Sequence, residues 1–307
     1  MQNVCKAFEK WLNSPFYKGF TLCLPLQIWL APSVETSKAI SKSLFLEEVH
    51  MKEQLYTIPL MDAFRAGDEC PFCYIERDVE QNALDFVLGP QASYMQDHVR
   101  AETDKMGFCR EHYQKMFAYG ETLANALIVD TRLQLLLKEM KKELKNYSSM
   151  AKLGMIDKLS RDMDKAKANN NVSRWIREKE ESCYICNHIK RNYERYIATF
   201  FYLYKKGDKE FLELVRSGKG VCLHHLADIL DAAPLYLSDR EQKSLRAILF
   251  PQMEANLERV LEEVDWLEKK FDYRYKDDDW KNSRDAVQRA MQKIVGGYPA
   301  DAPYRGK

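Results

Sequence analysis

Glycine and proline are scarce, 12 and 10 in 307 residues. So few turn residues leave long uninterrupted elements between them, which favours helices over short strands joined by tight turns. A charge excess of either sign is lacking as well: 47 Lys and Arg stand against 46 Asp and Glu. That balance excludes the general basic field of a nucleic-acid coat or of a protein held on anionic lipid. No apolar run is long enough to span a bilayer; the stretch from Phe20 to Ala31 is short and broken by Pro25. Leu30-Ala31-Pro32-Ser33 makes a poor signal cleavage site, so no secretory signal is expected. Several catalytic signatures are missing too. Ser217-Gly-Lys-Gly-Val221 lacks the spacing of a phosphate loop, and there is no His-Glu-x-x-His or Gly-x-Ser-x-Gly. A Glu-x-x-His of the di-iron bundle type occurs only at Glu47 to His50, without a duplicate.

What is present is a normal apolar fraction, 46% hydrophobic against 30% charged, enough for a sizeable core. There are also eight cysteines. Cys5 and Cys23 lie in residues 1–50, which read as a translated leader or disordered extension. The codons of Glu47-Glu48-Val49 can spell a bacterial ribosome-binding sequence just ahead of Met51, the expected natural start.

The other six cysteines form one pattern written twice. Cys70-Pro-Phe-Cys73 is followed after 35 residues by Cys109-Arg-Glu-His112, and Cys183-Tyr-Ile-Cys186 after 35 residues by Cys222-Leu-His-His225. All four ligand-type positions repeat at an offset of 113. Gly107 matches Gly220 in the same register, and further on Phe117 matches Leu230, Leu137 matches Phe250, Met140 matches Met253 and Leu144 matches Leu257. An internal duplication accounts for this; a chance pair of short motifs does not.

Periodicity places the motifs on helices. Ile75, Val79, Ala83 and Phe86 share a face that Gly89-Pro90 closes, and Ile189, Tyr193, Tyr196, Phe200 and Leu203 form another. Each Cys-x-x-Cys therefore opens a helix, and each Cys-x-x-His leads into a short one. Longer stripes at Leu133, Leu137, Met140 and Leu144, and at Met253, Leu257, Val260, Val264, Leu267 and Phe271, read as packing faces. The expected fold is all-α, two duplicated helical halves each organised around a metal site of three Cys and one His. The expected layout is a first repeat over 51–146, a connector or lightly packed helix over 147–172 with a solvated mixed-charge face, a second repeat over 173–271, and a C-terminal helix and tail over 272–307. Asn282-Ser283 would cap that last helix and Gly296-Gly297 would end it.

Three thiolates and one imidazole suit tetrahedral zinc and exclude magnesium and calcium. The expected metal residues are Cys70, Cys73, Cys109, His112, Cys183, Cys186, Cys222 and His225, holding two zinc ions per chain. Four protein ligands leave no open position for water, so the zinc would be structural. An iron–sulfur cluster is the alternative cofactor. Whether each half builds its own site or the halves exchange ligands stays open. So does the choice between His224 and His225, although the offset favours His225. His188 reads as a surface residue or one that supports a ligand, and Glu111 as a candidate base without a counterpart. Thiol oxidoreductase chemistry would need a strand-to-helix step that is not visible.

The stretch Met51-Lys-Glu-Gln-Leu-Tyr-Thr-Ile-Pro-Leu-Met-Asp-Ala-Phe64, with Glu69-Cys-Pro-Phe-Cys73, Gly107-Phe-Cys-Arg-Glu-His112, Lys270-Phe-Asp-Tyr-Arg-Tyr-Lys276 and Trp280-Lys-Asn-Ser283, resembles an uncharacterised bacterial domain-of-unknown-function family. The resemblance covers Met51 to Lys307 and implies no established activity. The functional expectation is a cytoplasmic, zinc-stabilised helical scaffold or adaptor for a protein partner, with nucleic acid less favoured and no membrane. A thiol-based redox or metal sensor is the alternative. An enzyme is less expected, since no acid–base set is clustered or duplicated.

Overall fold

The structure, a computed structural model, describes residues 55–91, 93–147 and 170–297. The chain divides into two units, 1–50 and 51–307, and only the second contains described residues. The expected leader, most of the connector (148–169) and the tail from 298 onward lie outside the described residues.

Among the described residues the fold is all-α, with no strand. Helix α1 runs over 55–65. The first half continues with α2 (Pro71–Leu88), a 3-10 turn at Ser93–Met95, α3 (Asp97–Met106), α4 (Arg110–Tyr119) and α5 (Thr122–Lys145). Then come α6 (Asn171–Glu181), α7 (Tyr184–Lys206), α8 (Lys209–Ser217), α9 (Leu223–Tyr236) and α10 (Asp239–Lys269), a 3-10 turn at Tyr273–Tyr275, and α11 (Ala286–Val295). No helix among the described residues is long and apolar enough to cross a membrane.

Helices α2 and α7, the two that begin at Cys-x-x-Cys, form the most extensive pair. Their direction follows from which ends share a core. Phe72, Ile75 and Val79 from the start of α2 pack with Tyr196, Phe200 and Leu203 from the later part of α7. Ala83, Leu84, Val87 and Leu88 from the end of α2 pack with Tyr184 and Ile185 at the start of α7. The pair is therefore antiparallel. The first core is completed by Leu60, Phe211, Ile229, Leu245, Leu249 and Met253, the second by Phe108, Met116, Tyr119 and Ile128.

Local chemistry explains the boundaries. Gly89 caps α2 as expected, its N–H bonding Asp85 O. Ser238 and Glu241 form a capping box that starts α10. Gly107 and Gly220 both take positive φ, 66° and 73°. A Cβ there would come within 2.8 Å of Arg132 Nε and 2.9 Å of Met253 Sδ respectively, so the duplicated glycine admits close helix contact as well as a left-handed turn.

Several expectations need correction. Phe86 is exposed, because the buried face of α2 advances in steps of four, Ile75, Val79, Ala83, Val87. The stripe on α5 is not core: Leu133, Leu137, Met140 and Leu144 are exposed, and this helix buries Ala124, Ile128 and Arg132 near its start instead. Beyond that point α6 is the helix that lies along it. In the second half Met253 and Val260 are buried, but Phe271 lies past the end of α10 and is 84% exposed. The one-to-one matching also lapses after Cys-x-x-His, since α4 has 10 residues and its counterpart α9 has 14. Asn282-Ser283 does not cap α11: that helix starts after Asp285, while Ser283 Oγ bonds Trp280 O at 2.7 Å. Gly296 ends it as expected. Residues 171 and 172, in the stretch read as a connector or lightly packed helix, begin α6, and Asn170 accepts the Ser173 N–H at 2.7 Å.

Candidate metal centres

All four motifs sit at helix starts in one geometry. Cys70, Cys109, Cys183 and Cys222 are the N-cap residues of α2, α4, α7 and α9. Cys73, His112, Cys186 and His225 occupy the third helical position of the same helices. A spacing of three thus turns both donors toward the helix end, where free backbone N–H groups and the helix dipole favour negative charge. Two of these bonds are present: Cys186 N–H to Cys183 Sγ at 3.5 Å and His225 N–H to Cys222 Sγ at 3.4 Å.

The donors converge in two groups, and the halves exchange them. Cys70 and Cys73 meet Cys222 and His225; Cys109 and His112 meet Cys183 and Cys186. Within each group the donor atoms all lie within 4.8 Å of one another. In the first, His225 Nδ1 is 3.3 Å from Cys70 Sγ, 3.5 Å from Cys73 Sγ and 3.1 Å from Cys222 Sγ, and Cys73 and Cys222 are 3.8 Å apart. In the second, His112 Nδ1 is 3.1 Å from Cys109 Sγ and 3.3 Å from both Cys183 Sγ and Cys186 Sγ, with Cys109 and Cys186 again 3.8 Å apart. The antiparallel α2–α7 pair causes the exchange. It carries the start of α2 to the end of the molecule where α9 packs, and the start of α7 to the end where α4 packs. Either cluster could hold a metal ion, and the six cysteines form no disulfide.

Both imidazoles present Nδ1 to the thiols and turn Nε2 toward a carboxylate of α2. Glu80 Oε1 accepts from His112 Nε2 at 2.9 Å and from Lys115 Nζ at 2.6 Å. Glu76 Oε2 stands 3.3 Å from His225 Nε2, in charge-pair range but outside hydrogen-bond alignment. Such carboxylates fix the ring and raise its basicity as a ligand. Neither was expected from the sequence. The available signal was their spacing of four on a helix, with Glu80 beside the apolar positions Val79 and Ala83 and itself buried.

The protonation states of the bare clusters reflect mutual stabilisation of opposite charges. Burial works against a charged His225, but the hydrogen-bonded Cys222 and Cys70 sulfurs outweigh it and push the imidazole up to about 12. Burial likewise opposes a charged His112, which Cys183 and Glu80 nevertheless push up to about 10. Hydrogen bonds from Cys70 and Cys73 hold the Cys222 thiol far below its usual range. Cys183 is drawn down to about 6, burial opposing and His112 prevailing. Bonds to Cys222 and Cys70 push Cys73 up, while burial and the neighbouring Cys183 charge push Cys186 up. Metal binding would therefore expel protons from both clusters.

His224, adjacent to His225, is outside the thiol group: its ring is 59% exposed and lies 3.6 Å from Asp228. His224, His225 and Asp228 do converge within 4.8 Å as a third constellation, without a sulfur. His188 is half-buried, and burial, with Arg191 and Arg195, lowers its pKa. Glu111 points outward and pairs with Lys115 at 2.9 Å, which leaves nothing to support its reading as a base.

Beside the first cluster, Glu69 is buried among cations. Arg259 donates to its Oε2 at 2.6 Å, Lys293 Nζ lies 3.4 Å from Oε2, and Arg289 and Lys219 are 3.5 and 3.6 Å from Oε1. Lys293, 1% exposed, also donates to Glu69 O at 2.6 Å. Helix α11 is thereby pinned to the residue preceding Cys70, and its cap Gly296 sits against the cluster. A Cβ at Gly296 would lie 3.4 Å from Cys222 Sγ and 3.7 Å from Cys73 Sγ.

In comparison with known proteins, residues 51–301 match the family described as "Family of unknown function (DUF6062)". No curated protein and no solved structure matches the chain.

Proposed function

The chain belongs to this family of unknown function, so we propose its role from the geometry: a helical scaffold clamped by two structural zinc ions, presenting an interaction surface to a protein partner. The observation that carries the metal reading is the spacing of the donors. Zinc–sulfur bonds of about 2.3 Å and zinc–nitrogen bonds of about 2.0–2.1 Å in a tetrahedron place sulfurs about 3.8 Å apart and sulfur and nitrogen about 3.6 Å apart. Both clusters carry sulfur pairs at 3.8 Å and sulfur–nitrogen pairs at 3.1–3.5 Å. An iron–sulfur cluster hangs its ligands from different irons with sulfides between them, and so spreads its donors more widely than these. Three thiolates around one zinc leave a charge of about −1, and two helix starts of roughly +0.5 each face it.

Each zinc would join the two halves, since each cluster takes one ligand pair from either. That is the behaviour of a clamp. The surface it holds in place is the groove between α5 and α6, about 460 Å3, with Leu133, Leu137, Met140, Trp175 and Ile176 in its lining. An exposed apolar groove of this kind supports a protein partner over nucleic acid. Paired free thiols favour the reducing cytoplasm. The test is metal content together with the visible spectrum of the chain purified without a metal-binding tag. Two zinc per chain and no colour are expected; iron with a charge-transfer band, or a folded metal-free chain, would overturn the reading.

A further inference from the structure

We propose that the two clusters have different duties: the one formed by Cys109, His112, Cys183 and Cys186 is an oxidant-responsive site modified at Cys186, and the other is inert. This rests on reading both as zinc sites. The argument is the contrast between equivalent positions. Cys73 and Cys186 correspond in the duplication and sit at the same place on their helices, yet Cys73 is 0% exposed and Cys186 is exposed. Cys70, Cys222 and His225 are also 0% exposed. In the other cluster Cys183 and His112 are buried, but Cys109 is half-exposed. The first cluster is walled by the rings of Phe72 and Tyr193, centred 5.7 and 5.3 Å from that of His225, and by the chain at Gly296. Thiolates react with oxidants according to their access to solvent. The same ligand set is therefore sealed at one end of the molecule and open at the other.

The chemistry follows with hydrogen peroxide as oxidant. Cys186, a thiolate while it binds zinc, attacks one peroxide oxygen. The O–O bond breaks, a sulfenic acid forms on Cys186, and the departing hydroxide takes a proton to become water. Cys109 Sγ, 3.8 Å away, then attacks the Cys186 sulfur. The S–O bond breaks, a disulfide forms, and the second hydroxide leaves as water after protonation. Two thiolates have given two electrons, and the peroxide with two protons has become two waters. Zinc keeps only Cys183 and His112 and dissociates. The halves are then unclamped at one end, while the other zinc keeps them joined.

The test treats the zinc-loaded full chain with hydrogen peroxide, follows zinc with a coloured chelator, and maps thiols by alkylation and peptide mass. The expected result is loss of one zinc per chain, a Cys109–Cys186 disulfide, recovery with a dithiol reductant plus zinc, and Cys70, Cys73 and Cys222 protected throughout. Release of both ions together, release from the buried cluster first, or no release would overturn the inference while leaving the zinc reading intact. A chain that binds no zinc at all would overturn the reading beneath it.

Discussion

Exchange of ligands between the halves can be tested by pairing substitutions. Cys70→Ser with Cys222→Ser removes two ligands from one cluster and leaves the other complete. Cys70→Ser with Cys109→Ser removes one ligand from each. If each half closed its own site, the consequences would be reversed. A structural zinc supplies on the order of 10 kcal/mol in small modules, so one of four ligands accounts for roughly 2–3 kcal/mol, about two orders of magnitude in affinity. The linked cysteines are also distant, Cys73 and Cys222 by 149 residues and Cys109 and Cys186 by 77. Closing such loops in the unfolded chain costs about 4–5 kcal/mol, so each site binds zinc far more weakly without the fold. Zinc titration against a competing chelator reads the outcome. The Cys70/Cys222 pair of substitutions is expected to leave one zinc at native affinity, and the Cys70/Cys109 pair none. Native affinity surviving in the second protein but not in the first would refute the exchange.

Replacing Glu80 by Gln is expected to weaken zinc binding at the exposed cluster by about 10–100-fold and to leave the other unchanged, because Glu80 accepts from His112 of the exposed cluster; chelator competition measures it. Gly296→Ala places a side chain at φ 81° against Cys222, costing about 1–2 kcal/mol. A thermal midpoint lowered by a few degrees is expected, and an unchanged one would mean that Gly296 does not hold this positive-φ conformation. Glu69→Gln leaves Lys293 buried without its counter-charge, for a loss of about 3–5 kcal/mol at neutral pH in denaturant unfolding. Burial alone would raise the Glu69 pKa, but the Arg259 hydrogen bond and the Lys293 charge hold it below its usual value of 4.5. Its contribution is thus complete above that pH and lost as pH falls through the lowered value. The stability gap between wild type and Glu69→Gln should close on acidification, and a gap independent of pH would count against the ion network.

The helical class and the convergence of the Cys and His motifs into clusters of three Cys and one His were legible because they rest on local rules, ligand chemistry and a spacing that puts two donors at one helix start. The apolar stripe on α5 was misread for a reason of the same kind. Periodicity shows that Leu133, Leu137 and Met140 share a face, but not whether another element covers it, and here that face remains open beside α6. The four extra residues of α9 relative to α4 similarly carry no local mark, since Pro234 stands inside the helix rather than ending it. Ligand pairing lies furthest from local rules. An offset of 113 is equally consistent with two closed halves and with two exchanged ones. The deciding contact is the antiparallel packing of α2 on α7, a tertiary choice made by faces that are apolar along their whole length. At about 1.5 Å per residue, the 18 residues of α2 carry the chain roughly 27 Å from Cys70 before it turns, and α3 and α4 fold at that far end. Cys109 and His112 are thereby closer to the start of α7 than to the start of their own half. Parallel packing of the same two helices would instead have gathered both Cys-x-x-Cys pairs at one end and both Cys-x-x-His pairs at the other, sorting the same eight donors into a four-sulfur set and a set of two sulfurs and two imidazoles. The direction of this one helix pair therefore decides that each cluster has three sulfurs and one imidazole.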